Sequence, residues 1–208
     1  MTQNDRVDRL LDQYGETYAH QAGIRLADRP QPLYQLLVLT KLLSTRISAA
    51  VAVAGARELF RVGLTSPKAM LAADEHTKWH ALAAGHYVRY GGPAIRQLAD
   101  GAQIVLDRWG GDLRRMHNAA DGDRAALRAS LTEFPGIGPT GADIYLREAQ
   151  AVWPDVRPYL DARVTAAAKA VRLPGSAARL AGLVPPDRLP ELAAAVLRGS
   201  RDKALTTA

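Results

Sequence analysis

The stretch from Arg124 to Val164 limits the chain to few folds. Leu127, Leu131 and Phe134 recur at helical spacing, and Ile144, Tyr145, Leu146 and Ala149 do so again downstream. Between them stands Pro135-Gly136-Ile137-Gly138-Pro139-Thr140-Gly141-Ala142. Apolar periodicity on both sides of a Gly-rich break predicts two helices joined by a tight turn. Gly136 and Gly138 are able to take positive φ there and to let another backbone come close. Pro139 suits the first position of the second helix, where its missing N–H is not needed. The free N–H groups of that helix start, backed by the positive end of the helix dipole, make a seat for phosphate.

Helical spacing holds nearly everywhere else, and strand-like alternation of Val, Ile and aromatic residues is scarce. The chain therefore reads as all-α, with about ten helices. Residues 4–20 form a first helix, and Asp28-Arg29-Pro30-Gln31-Pro32 is a break. Leu33–Leu43 is apolar enough to be buried on several sides. Ser44-Thr45-Arg46-Ile47 interrupts it, and Ser48 caps a helix over 49–60. Ser66-Pro67 opens another, a short one covers 77–84, and residues 85–92 form a loop. Pro93 starts a long helix that ends after Trp109 at Gly110-Gly111. Asp121 or Asp123 caps the first helix of the hairpin. After Asp161, helices are expected over 162–171, 177–181 and 189–198, with fraying over 200–208.

A chain of 208 residues is long enough for a well-formed core. Its 27 basic residues against 21 acidic ones leave a net charge of +6, which suits a polyanionic partner, nucleic acid first. It has no cysteine, so it has neither disulfides nor a thiolate metal site. His76 and His80 share a helical face, but a lone pair of this kind is weak evidence for a metal. The polar start, Met1 to Leu11, does not read as a signal peptide, and no apolar stretch reads as a membrane span. A soluble, cytoplasmic, nucleoid-associated protein with no membrane partner is expected.

The pattern Leu131-x-x-Phe134-Pro135-Gly136-Ile137-Gly138-x-x-x-Ala142, followed by Leu160-Asp161-Ala162-Arg163-Val164, resembles the helix-hairpin-helix of the endonuclease III-like DNA glycosylase superfamily. In that family a catalytic aspartate follows the hairpin in a Val-Asp-x-x-Val type context. Leu42-Leu43-Ser44, Gly85-x-Tyr87 and Gly110-Gly111-Asp112-Leu113 extend the likeness over roughly residues 30–175. The resemblance implies a six-helix barrel-like domain over 30–154 that carries the hairpin. It also implies a second helical lobe made from 1–29 and 155–208, with a cleft between the two.

The function implied is that of a base-excision DNA glycosylase, which cuts the bond between base and sugar of a flipped-out nucleotide. The transition state resembles an oxocarbenium ion, and a fixed carboxylate beside the sugar stabilises it. Carried over, that carboxylate is Asp161. The hairpin residues Gly136, Ile137, Gly138, Thr140 and Gly141 then meet the DNA backbone. Arg46, His86 and Arg163 fill the gap that the extruded base leaves.

The departures matter as much. Strand-cleaving relatives carry a lysine two residues after the second glycine, where this chain has Thr140, so a monofunctional enzyme without lyase activity is implied. The four C-terminal cysteines that hold an iron–sulfur cluster in many relatives are missing, so no cofactor or metal is expected. The expected partner is double-stranded DNA with a damaged or mismatched base, bound by a monomer. A second reading stays open: a non-catalytic helix-hairpin-helix DNA-binding protein. Asp161 favours the enzyme, while Thr140, Ala162-Arg163 and the absent cysteines favour the binder. Asp161 also suits the N-cap of the helix after it, a role that Asn would preserve.

Overall fold

Side-chain caps mark most of the helix starts. The computed structural model describes residues 2–206, and its helices run in the order α1 (Gln3–Tyr14), α2 (Tyr18–Gln21), α3 (Pro30–Leu43), α4 (Ala49–Arg61), α5 (Pro67–Ala72), α6 (Glu75–Ala84), α7 (Gly91–Trp109), α8 (Leu113–Ala119), α9 (Arg124–Thr132), α10 (Pro139–Ala149), α11 (Ala162–Ala170), α12 (Ala177–Ala181), α13 (Leu189–Gly199) and α14 (Lys203–Thr206). Two short 3-10 turns, Pro154–Val156 and Pro186–Arg188, lie among them, and no strand occurs among the described residues. Ser48, Ser66, Asp74, Asp112, Asp123, Asp161 and Ser176 each accept a hydrogen bond from a first-turn N–H. Thr2 and Asp5 form a reciprocal capping box at α1. Each cap of this kind contributes about 1 kcal/mol.

Helices α3, α6 and α7 start at Pro30, Glu75 and Gly91, two or three residues before the expected positions, and three further differences are larger. The first helix stops at Gly15 instead of continuing to residue 20. The Tyr18 N–H is drawn to the Glu148 carboxylate at 3.0 Å, a tertiary bond that helical spacing does not reveal. Helix α8 was not expected; Asp112 caps it directly behind the Gly110-Gly111 stop. The C-terminal stretch does not fray throughout. Asp202 accepts from Tyr14 Oη at 2.6 Å and from the Ala204 N–H at 2.9 Å, and α14 follows. Residues 207–208 of that expectation lie outside the described residues.

The chain divides into two units, Ala19–Tyr145 and a smaller one that joins the segment ending at Tyr18 to the segment starting at Leu146. In the larger unit α3 is buried around nearly its whole circumference, Thr40 and Lys41 included. Leu33, Tyr34, Leu36, Leu39 and Leu42 are fully buried, and α4, α7 and α8 pack around them. Each fully buried leucine contributes roughly 1.5–3 kcal/mol relative to exposure. In the smaller unit α13 packs on α1 and α11 through Leu10, Val164, Leu192 and Val196. Helix α10 starts in the larger unit and ends in the smaller. Among the described residues no helix is long and apolar enough to cross a membrane.

One contact sets the spacing of α4 and α6. A Cβ placed on Gly85 would lie 2.5 Å from both Cα and N of Gly55 and 2.7 Å from the Ala54 carbonyl carbon. The obstruction is backbone, which cannot rotate away. Gly85→Ala is expected to lower the unfolding free energy by about 1–3 kcal/mol, the usual range for overpacking. Urea denaturation measures this, and an unchanged midpoint would show that the two helices have slack.

Candidate nucleic-acid interface

The hairpin turn is a type II turn, as its sequence demands. The Ile137 N–H donates to the Phe134 carbonyl at 3.0 Å, Pro135 takes the second position, and Gly136 takes the third with φ +76°. Phe134 and Ile137 are buried and hold the turn to the unit. Gly136 is required twice over, because a Cβ there would also sit 2.5 Å from Lys41 Cε and 2.7 Å from Gln97 Oε1. Gly138 is unlike it. Its φ is not positive, contrary to the sequence reading, and a Cβ there would meet nothing within 4 Å.

Helix α10 begins directly after Gly138, whose carbonyl accepts the Ala142 N–H at 3.0 Å. The N–H groups of Thr140 and Gly141 have no acceptor among the described residues. Such orphan donors at a helix start attract anions. Arg128 ties α9 to α10, with Nε 2.6 Å from Asp143 Oδ1 and Nη2 3.2 Å from Oδ2. Gly136, Gly138, Pro139 and Thr140 are exposed, whereas the Ile137 side chain and Gly141 face inward. Gly141 is packed against Ser44, which leaves no room there for a Cβ.

That packing brings Arg46 into the neighbourhood. Ser44 follows α3 and returns a hydrogen bond to the Thr40 carbonyl at 2.7 Å, and Arg46 stands exposed two residues further on. His86 is held by the same helix end. The Tyr87 side chain is fully buried, and its hydroxyl donates to the Leu42 carbonyl at 3.5 Å. Gly85, on the other side, is locked against Gly55. His86 itself is exposed with φ +62°, where the chain reverses after α6. Glycine usually takes this position, and the left-handed conformation costs another residue about 1–2 kcal/mol. In the larger unit, then, the hairpin, Arg46 and His86 are all positioned from the C-terminal end of α3.

The smaller unit holds Asp161 and Arg163. Asp161 Oδ1 accepts the Arg163 N–H at 2.8 Å and the Val164 N–H at 3.4 Å, so the residue caps α11. Its Oδ2 lies 2.8 Å from Arg147 Nε, and the two side chains are only 9% (Arg147) and 11% (Asp161) exposed. The approach is close but poorly aligned, and neither atom counts as hydrogen-bonded by geometry. The pair is therefore ionic more than directional. Arg147 Nη2 is also buried, without an acceptor among the described residues. Arg147 escapes a reading of the sequence, where it looks like a polar interruption of an apolar helix. Arg163 is exposed.

The loop between α10 and α11 is strapped down around Gln150. Gln150 Oε1 accepts the Tyr159 N–H at 2.9 Å, and Nε2 donates to the Tyr159 carbonyl at 3.2 Å and the Arg147 carbonyl at 2.9 Å. Arg157 donates from Nε to the Gln150 carbonyl at 2.6 Å and from Nη2 to the Ala151 carbonyl at 2.7 Å. The backbone that delivers Asp161 is thus fixed on the end of α10. Elsewhere, His76 and His80 bring their Nε2 atoms within 2.9 Å, and the described residues contain no group of three or more metal-ligating side chains.

No family model matches this sequence, and no curated protein matches it. Among solved structures, the chain is similar to a trapped endonuclease III–DNA covalent intermediate in an estranged-adenine complex, at 15% identity and a TM-score of 0.47, over 95% of this chain and 85% of that one.

Proposed function

We propose that this protein is a DNA glycosylase that docks on duplex DNA through its helix-hairpin-helix. In this reading it hydrolyses the N-glycosidic bond of a flipped damaged or mismatched base and leaves the strand intact. The observation that carries the DNA reading is Gly138. Neither backbone conformation nor packing calls for glycine there. What a glycine leaves at that point is open surface beside the orphan N–H groups of Thr140 and Gly141, where a phosphate oxygen fits closely. Gly136, Ile137 and Gly141 shape the turn from within. The exposed Arg46, His86 and Arg163 are the side chains offered to the strand.

Asp161 is the proposed catalytic carboxylate. The C1′–N bond breaks, positive charge grows on the sugar, and water supplies the new C1′–O bond and a proton for the departing base. A carboxylate preorganised by two backbone N–H groups meets that charge without reorganising. Thr140 has no amine, which supports hydrolysis without a Schiff base. One observation favours the non-catalytic reading. The Arg147 guanidinium beside Oδ2 offsets part of the charge that a transition state would use.

Two variants test the docking surface. Gly138→Phe is expected to leave stability within about 0.5 kcal/mol, as for other surface substitutions, while weakening duplex binding to all sequences alike. Gly136→Ala is expected to destabilise the fold by at least about 1–2 kcal/mol. Anisotropy titrations with a duplex oligonucleotide and urea denaturation separate the two effects. Unaltered binding by a folded Gly138→Phe protein would count against the hairpin as the docking surface.

The Arg147 pairing changes the expectation for Asp161→Asn. The variant keeps the cap but leaves a buried guanidinium without its partner, a loss of about 3–5 kcal/mol. Excision should fall by about 10²–10³. The double variant Asp161→Asn with Arg147→Met is expected to recover stability but not excision. Recovery of both would reduce Asp161 to a cap and a strap. If the wild type releases no base from any lesion-bearing duplex in a panel, the binding-only reading takes over.

A further inference from the structure

Lys41 is a buried cation without a counter-anion. It lies in the last turn of α3 and is only 5% exposed. Its Nζ makes one long hydrogen bond, to Thr45 Oγ1 at 3.4 Å. No carboxylate pairs with it among the described residues, and two of its three N–H donors have no acceptor there. Its Cε lies under Gly136, close enough that a Cβ on that glycine would strike it. Beside it is a cavity of ≈ 20 Å³, room for about one water, lined by Tyr34, Gln97, Phe134 and Ile137 among others. Burial alone pushes the Lys41 amine down to about 8.

A charge in such a place costs stability unless something pairs with it. A flexible apolar side chain one atom shorter, methionine, would fill most of the space with no such cost. What Lys41 does have is a position directly beneath a turn whose outer face presents orphan N–H donors. We propose that Lys41 is the buried charge of the hairpin's anion seat, supplying through the turn the positive potential that holds a DNA phosphate at Gly136–Gly141. The inference rests on the hairpin being the docking surface. The phosphate supplies the missing counter-charge, and the low-dielectric turn between them screens the attraction less than bulk water does.

The inference has a signature in pH. An arriving anion favours the charged amine and raises the pH at which it loses its proton. Below about 8 the amine is charged in both free and bound protein, and affinity does not depend on it. Above that, the complex holds more proton than the free protein. Binding then takes up a proton, and affinity falls by at most about tenfold per pH unit. The groups facing Lys41 do not confuse this. Tyr34 from α3 and Tyr87 beyond Thr45 are both raised by burial, and Gln97 from α7, Phe134 and Ile137 from the hairpin and Thr45 do not titrate.

The experiment follows duplex affinity at fixed ionic strength from pH 7 to 9 for the wild type, Lys41→Met and Gly138→Phe, with melting temperatures alongside. The wild type should lose several-fold affinity between pH 8 and 9. Lys41→Met should bind several-fold more weakly at pH 7, show no such loss, and melt at a higher temperature. A packing role alone would lower the melting temperature and leave the pH profile as in the wild type, which overturns the inference. Calorimetry of the wild type at pH 8.5 in two buffers of different ionisation enthalpy needs no variant. Proton uptake on binding is expected, and its absence overturns the inference equally. If Gly138→Phe still weakens binding in that case, the hairpin reading survives; if it binds like the wild type, both fall.

Discussion

The burial of α3 is the constraint on which the larger unit depends. A helix buried on nearly every side has little solvent face to set its rotation, so its neighbours must set it from all directions. Three of them do so at its last turn. Gly136 lies over Lys41, Tyr87 bonds to the Leu42 carbonyl, and Gly141 closes on Ser44. Gly136 and Gly141 belong to the hairpin, and Tyr87 to the turn that carries His86, so two parts of the proposed DNA surface meet there. The hydrophobic term that drives α3 into the core therefore also fixes the hairpin, Arg46 and His86 relative to one another. Positioning from a rigid element is more exact than positioning from a loop.

Two departures from ordinary stability sit on that frame. His86 adopts a left-handed conformation that glycine would take without strain, and Lys41 is buried with a charge. Strained backbone and unpaired buried cations persist where the surroundings over-determine them, and they gather at functional sites. The Arg147–Asp161 pair of the smaller unit is a third polar feature in a nearly dry place. Its consequence differs. It makes the proposed catalytic carboxylate part of the fold, so that the charge cannot be removed without also removing a partner.

How much of this was legible in the sequence depended on range. Caps at Ser48, Ser66 and Asp161, the Gly110-Gly111 stop and the turn at Gly136 are decided within a few residues, and the residue types alone identify them. Past the end of α1 the chain answers to residues far along it, with Arg198 donating to the Tyr14 carbonyl and Glu148 accepting the Tyr18 N–H. Arg147 gave no warning for the same reason, since its partner lies in another element. Nothing near Lys41 in the sequence marks it, and only the packing of Gln97 and the hairpin around it shows that it is enclosed. The motif pointed to Gly138 and Asp161, but the surroundings that decide their roles are tertiary.

Gln150 illustrates a consequence for how such a chain is compared with others. Its side chain offers one acceptor and one donor to the same residue, Tyr159, and so stands in for a peptide group of a neighbouring strand. Glutamate lacks the donor, methionine lacks both, and asparagine is one carbon too short to span the same gap. The position is also fully enclosed. Little freedom to vary is left at a residue assigned no part in contacting DNA. Invariance close to Asp161 would thus record the covalent limits of an amide acting as backbone, and a map of restricted positions drawn around that aspartate would be wider than the chemistry it surrounds.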